Sequence, residues 1–96
     1  MTKREKNRIK AKVYRDYLRD LKAAETHEDL YSAFSRFWYD CKDTIFTLEE
    51  TFDNMCQGEL EEDWQWIFPN VNTEKFYYLK KWEIERIEKR KSRYTR

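Results

Sequence analysis

Residues 30–56, LYSAFSRFWYDCKDTIFTLEETFDNMC, carry the clearest pattern in this chain of 96 residues. Apolar side chains recur there at three- and four-residue steps over about seven turns, and at 100° per residue they fall within an arc of roughly 120°. The stripe consists of Leu30, Phe34, Phe37, Trp38, Cys41, Ile45, Leu48, Phe52, Met55 and Cys56. This pattern predicts one amphipathic helix that ends at about Gln57 and forms the central element of the fold.

A second interpretation divides this helix near Asp43. Glu50 follows Thr47 by three residues, which is the spacing of a capping box at the start of a new helix. Because the apolar phase continues without interruption across this point, the sequence favours a kink in one helix over a turn between two.

Residues 3–24 predict a helix with one apolar face and one basic face. The apolar positions recur with helical period and are Ile9, Val13, Tyr17, Leu21 and Ala24. Thr26 and Asp29, three residues apart, have capping-box spacing and predict the start of the next helix.

The only glycine and the only proline, Gly58 and Pro69, bracket a short segment after the long stripe. Its acidic start suits the first turn of a helix, because carboxylates stabilise the positive end of the helix dipole. Residues 73–93 predict a last helix that is apolar on two sides. We therefore expect an all-α fold, a small helical bundle of three long helices plus one short helix at residues 59–68. Residues 1–96 would form a single helical domain with basic, frayed ends at about 1–5 and 90–96.

Charge is distributed in three blocks along the chain. Residues 1–24 have nine Lys/Arg and three Asp/Glu, a net charge of +6. Residues 25–63 have two Lys/Arg and twelve Asp/Glu, a net charge of −10. Residues 64–96 have nine Lys/Arg and four Asp/Glu, a net charge of +5. Two basic helices that flank and neutralise an acidic one would explain the blocks, and this is the interpretation we favour. Alternatively, one of the charged surfaces meets a partner of opposite charge.

The sequence lacks the signatures of enzymes and cofactor sites. One histidine and two cysteines cannot form a tetrahedral zinc site by themselves, and a chain with one glycine has no glycine-rich phosphate loop. We expect no enzymatic activity, no metal and no cofactor. No apolar run reaches the length of a membrane span and residues 1–12 lack the apolar region of a signal peptide, which favours a cytoplasmic protein with no membrane partner.

Two aromatic residues, Tyr39 and Phe46, lie off the main apolar stripe and would share one face of a continuous helix with Asp43 and Glu50. Exposed aromatic side chains ringed by acids are typical anchors for a protein partner. Coverage of this face by the last helix is the structural alternative. The residues predicted to bind a partner are Tyr39, Asp43, Phe46, Glu50, Glu61, Glu62, Asp63 and Trp64.

In its glycine-poor, aromatic-rich and highly charged composition, the chain is similar to small phage and mobile-element proteins that bind host machinery. The sequence therefore predicts a non-enzymatic interaction module, an inhibitor or adaptor that binds a host protein in the host cytoplasm. A column of carboxylates can occupy a basic groove on a partner, so the predicted partners include host proteins that handle nucleic acid.

The alternative function is that of a nucleic-acid-binding accessory protein. Basic residues of the first helix and of the C-terminal tail would contact phosphates, and interspersed tyrosines would stack on bases. The residues predicted for this role are Lys6, Arg8, Lys12, Arg15, Arg19, Lys89, Arg90, Lys91 and Arg93. A third hypothesis is a homo-oligomer formed through the Tyr14 and Leu18 flank of the first helix.

Overall fold

The computed structural model describes residues 1–43, 46–54 and 73–94, and these residues form four α-helices. They are α1, Lys3–Ala23; α2, His27–Asp43; α3, Leu48–Asn54; and α4, Thr73–Ser92. None of the described residues is in a β-strand. The all-α helical bundle predicted from the sequence is confirmed, with three long helices and a short one. The short helix is α3, whereas the one predicted at residues 59–68 lies outside the described residues.

Both ends of α1 are capped. At the start, Oγ1 of Thr2 accepts a hydrogen bond of 3.2 Å from the N–H of Glu5, as an N-cap threonine does. At the other end, the Lys80 ammonium of α4 donates to the carbonyls of Lys22 and Ala24 at 3.1 and 2.7 Å. A cation there satisfies carbonyls that have no partner inside the helix and complements the helix dipole. Residues 3–5, which the sequence predicts as frayed, are helical.

The capping box predicted before α2 is confirmed. The N–H of Asp29 donates to Oγ1 of Thr26 at 3.1 Å, and Oδ2 of Asp29 accepts from the N–H groups of Glu25 and Thr26 at 3.0 and 3.1 Å. These backbone hydrogen bonds lower the pKa of Asp29. The short connection between α1 and α2 is therefore held by local sequence.

The single helix predicted over residues 30–57 is wrong, because the structure contains two helices there, α2 and α3. Thr47 and Glu50 form the capping box of the second interpretation, with reciprocal hydrogen bonds of 3.2 and 3.1 Å. Nδ2 of Asn54 lies 3.7 Å from Sγ of Cys41, although thirteen residues of continuous helix would separate them by about 20 Å. The chain therefore turns after α2, and α3 packs back against it.

The core is organised around α1, which packs against both α2 and α4. Tyr17 stacks on Phe37 of α2 with ring centroids 4.1 Å apart, and Tyr14 stacks on Tyr94 beyond α4 at 5.8 Å. The central element is thus α1 and not the stretch 30–56. Tyr14 and Leu18 are buried in this core, so the flank proposed for a homo-oligomer is not available to a second copy.

Candidate nucleic-acid interface

The structure separates the two aromatic residues predicted to anchor a protein partner. Phe46 is buried, with 8% of its surface exposed, and its ring centroid lies 5.6 Å from that of Tyr14. Tyr39 on α2 is 60% exposed. The prediction that the two share one face is wrong, because the chain turns after α2. Phe46 belongs to the core and does not present its ring to a partner.

Glu50, another predicted partner residue, has a structural role. Its Oε2 lies 2.7 Å from Nζ of Lys10 on α1, and its Oε1 accepts the hydrogen bond from Thr47. Burial raises the pKa of Glu50, but the hydrogen bonds from Lys10 and Thr47 outweigh that effect and lower the pKa. Asp43 is exposed at the end of α2. The other four predicted residues, Glu61, Glu62, Asp63 and Trp64, lie outside the described part of the chain.

The acidic helix α3 is paired with the basic helices on two sides. Besides the ion pair between Lys10 and Glu50, Nη1 of Arg90 on α4 lies 2.7 Å from Oδ2 of Asp53. The hydrogen bond from Arg90 lowers the pKa of Asp53. For α3, this is the charge neutralisation that the three blocks of the sequence suggest.

Four of the predicted nucleic-acid-binding residues, by contrast, line one groove. This groove, which we call the α1–α4 groove, runs between α1 and the C-terminal end of α4 and encloses about 380 Å³. Its lining consists of Arg4, Asn7, Arg8, Ala11, Lys12, Arg15, Arg93 and Tyr94. Five of these residues are cationic and none is acidic, so the groove presents a concentrated positive potential to solvent.

Helical spacing explains the row of cations that α1 contributes. Arg4, Arg8, Lys12 and Arg15 follow one another at four-, four- and three-residue steps, which places them on one face of the helix. At 1.5 Å per residue, the row is about 16 Å long. Sequence reasoning missed Arg4, although its four-residue distance from Arg8 continues the row and could have identified it.

Tertiary packing adds the remaining cation. α4 runs antiparallel to α1, as Lys80 lies at the C-terminal end of α1 and Tyr94 stacks on Tyr14. After α4 the chain forms a turn in which the N–H of Tyr94 donates to the carbonyl of Lys91 at 3.0 Å. This turn fixes Arg93 at the edge of the α1–α4 groove. Nothing in the local sequence indicates that Tyr94 forms part of the groove wall.

The arginines of the groove differ from the other arginines of the described chain. Among the described residues, Arg4, Arg8, Arg15 and Arg93 form no ion pair, and Lys12 has only the distant Asp16 at 4.0 Å. The other described arginines, Arg19, Arg36, Arg86 and Arg90, all lie within 4.0 Å of a carboxylate. The groove therefore collects guanidinium groups that form no ion pair within the described part of the chain.

The other basic residues predicted for nucleic-acid binding are more scattered. Arg19 lies 3.9 Å from both Asp16 and Asp20, so its charge is partly compensated. Lys89 and Arg90 line a second groove on α4, together with Arg93. Lys6 and Lys91 line neither groove.

The described residues offer little other chemistry. Burial raises the pKa of the Cys41 thiol to about 12, so it stays protonated and unreactive at neutral pH. No group of three or more His, Cys, Asp or Glu side chains in residues 1–43, 46–54 and 73–94 could hold a metal ion. None of the helices in these ranges combines the length and the apolar character needed to cross a bilayer.

A scan against protein-family models and searches of curated proteins and of solved structures found no match.

Proposed function

We propose that this protein is a non-enzymatic accessory protein that binds the phosphate backbone of nucleic acid in the α1–α4 groove. The observation that carries the proposal is the convergence of Arg4, Arg8, Arg15 and Arg93, without ion pairs among the described residues, on one concave surface free of carboxylates. Guanidinium groups remain charged at all physiological pH values, and their planar fork of donors matches phosphate oxygens.

The cost of this arrangement supports an anionic ligand. Like charges four residues apart on a helix, such as Arg4 and Arg8 or Arg8 and Lys12, destabilise it by about 0.2–0.5 kcal/mol per pair. The chain relieves such repulsion elsewhere with nearby acids, as between Arg90 and Asp53. A row of phosphates would remove the repulsion in the groove and would release the counterions that screen both partners.

The number of groove cations sets the expected salt dependence. If the five cations each neutralise one phosphate, the slope of log K against log salt is about −3.5 for a single strand and about −4.5 for a duplex. Raising the salt concentration from 50 to 200 mM should then weaken binding by roughly 10²-fold or more. A protein that bound through apolar contacts alone would show no such slope.

A charge-reversal experiment tests the proposal. The double variant Arg8→Glu/Arg15→Glu removes two groove cations, and Lys42→Glu/Lys81→Glu changes the net charge equally at exposed positions that do not line the groove. Binding to labelled 20-nucleotide DNA and RNA, single- and double-stranded, is measured by fluorescence anisotropy at two salt concentrations. Circular dichroism checks that both variants remain helical.

We expect the groove variant to lose at least tenfold in affinity at 100 mM salt and to reduce the salt slope by about 1.5. The control variant should stay within threefold of the native protein. Equal losses in the two variants, or no binding by the native protein, would contradict the proposal.

A host protein is the alternative partner, and Tyr39 and Asp43 are the described residues that remain exposed for it. Asp43→Lys should leave nucleic-acid binding unchanged if the α1–α4 groove is the site. The acidic surface is the functional one if the native protein binds no nucleic acid and binds a host protein that the Asp43→Lys variant does not bind.

A further inference from the structure

A second groove, which we call the Trp82 groove, lies along α4 and encloses about 310 Å³. It is lined by Trp82, Glu85, Arg86, Lys89, Arg90 and Arg93. Arg93 lines this groove and the α1–α4 groove alike. The two grooves therefore adjoin at Arg93, just beyond the C-terminal end of α4.

Two of the four cations of the Trp82 groove are engaged with the protein itself. Arg86 is held by Glu83 and by the carbonyl of Asn54 at 3.0 Å, and Arg90 is paired with Asp53. Lys89 and Arg93 form no ion pair with a described residue, and Glu85 is the carboxylate of the lining. As a phosphate site this groove is weaker than its neighbour, and its distinctive group is the indole.

The aromatic group of the Trp82 groove is the indole of Trp82, which is partly exposed. One part of the side chain packs against the hydrophobic core and another part lines the groove. The guanidinium carbon of Arg86 lies 5.8 Å from the indole centroid, and Arg86 is itself positioned by Glu83 at 3.0 Å. Aromatic rings and arginine planes are the groups on which unstacked bases rest.

The aromatic side chain of the Trp82 groove favours a single strand over a duplex. An unpaired base can leave its stack and rest on an indole, whereas the bases of a duplex are already stacked and paired with one another. Tyr94, the aromatic residue of the α1–α4 groove, already stacks on Tyr14 with one face. Trp82 is then the aromatic residue placed to receive a base.

Building on the proposed function, we infer that the ligand is single-stranded nucleic acid, which places its backbone in the α1–α4 groove, passes Arg93 and stacks a base on Trp82. A positive groove that follows the backbone, combined with aromatic side chains for bases, is the general arrangement of single-strand binding. The readout of sequence is weak in such a site, because every base has a π-face.

The test compares two tryptophans of similar placement. Trp82 and Trp38 are both partly buried against the core, and only Trp82 lines the groove. Trp82→Leu should weaken binding of a 12-nucleotide single strand by roughly 5- to 150-fold, the range for one stacked base, without changing the salt slope. Trp38→Leu should stay within threefold of native, and Trp82→Phe, which retains an aromatic ring, should lose less than Trp82→Leu.

Intrinsic fluorescence gives a second measurement if Trp82→Leu does not fold. A thymidine oligonucleotide should quench the tryptophan emission of the native protein, and Trp82→Phe should remove most of that quenching. Undiminished quenching in Trp82→Phe, equal losses in the two leucine variants, or duplex affinity matching that of the single strand would overturn the inference. Those results leave the proposed function standing if Arg8→Glu/Arg15→Glu weakens binding, whereas an absence of all binding overturns both.

Discussion

Glu83 lies in the core with 1% of its surface exposed, and its carboxylate is fully engaged. Tyr17 of α1 donates its hydroxyl hydrogen bond to Oε2, and the guanidinium of Arg86 donates to both oxygens. Arg86 also donates to the carbonyl of Asn54, whose side-chain Oδ1 accepts from Tyr14 at 2.6 Å. This buried network joins α1, α3 and α4. Burial raises the pKa of the Tyr14 hydroxyl, so it remains a donor.

We expect Arg86→Met to lower the free energy of unfolding by about 3–5 kcal/mol, because it leaves the carboxylate of Glu83 buried without a counter-ion. The double variant Glu83→Leu/Arg86→Met should recover most of that loss, since no uncompensated charge remains. Urea denaturation followed by circular dichroism measures both. If the double variant is no more stable than Arg86→Met, the buried charge is not the cause of the loss.

Helix α3 depends on its first turn more than the longer helices do. It has seven residues, and isolated helices of that length are not stable in water, so its cap and its tertiary contacts must hold it. The reciprocal hydrogen bonds of Thr47 and Glu50 provide the cap. The hydroxyl of Thr51 also donates to the carbonyl of Thr47 at 2.9 Å.

Thr47→Ala should destabilise the protein by about 1 kcal/mol, because the N–H of Glu50 loses its acceptor. Thr47→Ser, which keeps the hydroxyl, should cost less than half of that. Thermal and urea unfolding give the comparison, and Thr26→Ala at the start of α2 is the matched variant. If the unfolding midpoint of Thr47→Ala equals that of the native protein, tertiary packing alone stabilises α3.

The apolar stripe of residues 30–56 misled the prediction of one helix for a physical reason. The phase continues in the sequence but not in the packing: Leu48 of the stripe is 74% exposed in α3, whereas Thr51 and Asn54, which lie off the stripe, are buried. Helical spacing shows only that side chains could share a face, not that one helix carries them. The local signal that distinguishes the two, Thr47 followed by Glu50, was present but outweighed by the longer pattern. Capping motifs thus deserve more weight than an unbroken phase when a predicted helix is unusually long.

Two sets of titratable groups make the stability of the bundle depend on pH, each in its own pH range. The ring of His27 packs edge-on against Phe76 of α4 with centroids 4.9 Å apart, and burial lowers the pKa of His27. Lys80 lies over the same ring, with Nζ 6.0 Å from the Phe76 centroid. At lower pH, the carboxylates of Glu50 and Asp53 join α3 to α1 and α4, and the pKa of each is lowered.

We expect stability to fall in two stages on acidification. The unfolded chain binds a proton on His27 before the folded protein does, so stability is complete above about pH 6.5 and declines as the pH falls below it. Glu50 and Asp53 contribute stability above their unfolded pKa values of about 4, and lose it as the pH falls through their lower folded values. Urea midpoints between pH 8 and pH 3 should show both stages. His27→Gln should remove the upper stage and leave the lower one, and an unchanged upper stage would assign it to another group.

Packing of the helices decides which of the charges in the three blocks of the sequence lie close together. The antiparallel arrangement of α1 and α4 brings the basic row of α1 beside Arg93, and α3 neutralises other cations of the same helices. A chain with a net charge of only +1 thereby acquires one strongly basic surface. Net charge alone would not have indicated this basic surface.

Helical periodicity, the capping boxes at Thr26 and Thr47 and the row Arg4 to Arg15 depend on residues three or four positions apart, so the local sequence is sufficient to predict them. The turn that buries Phe46, the pairing of Tyr17 with Glu83, 66 residues away, and the position of Arg93 in both grooves depend on how the helices pack. Such contacts leave no periodic signal, because many packings satisfy the same apolar stripes. Sequence thus accounts for the helices and for one wall of the α1–α4 groove, and long-range packing accounts for its other wall and for its junction with the Trp82 groove.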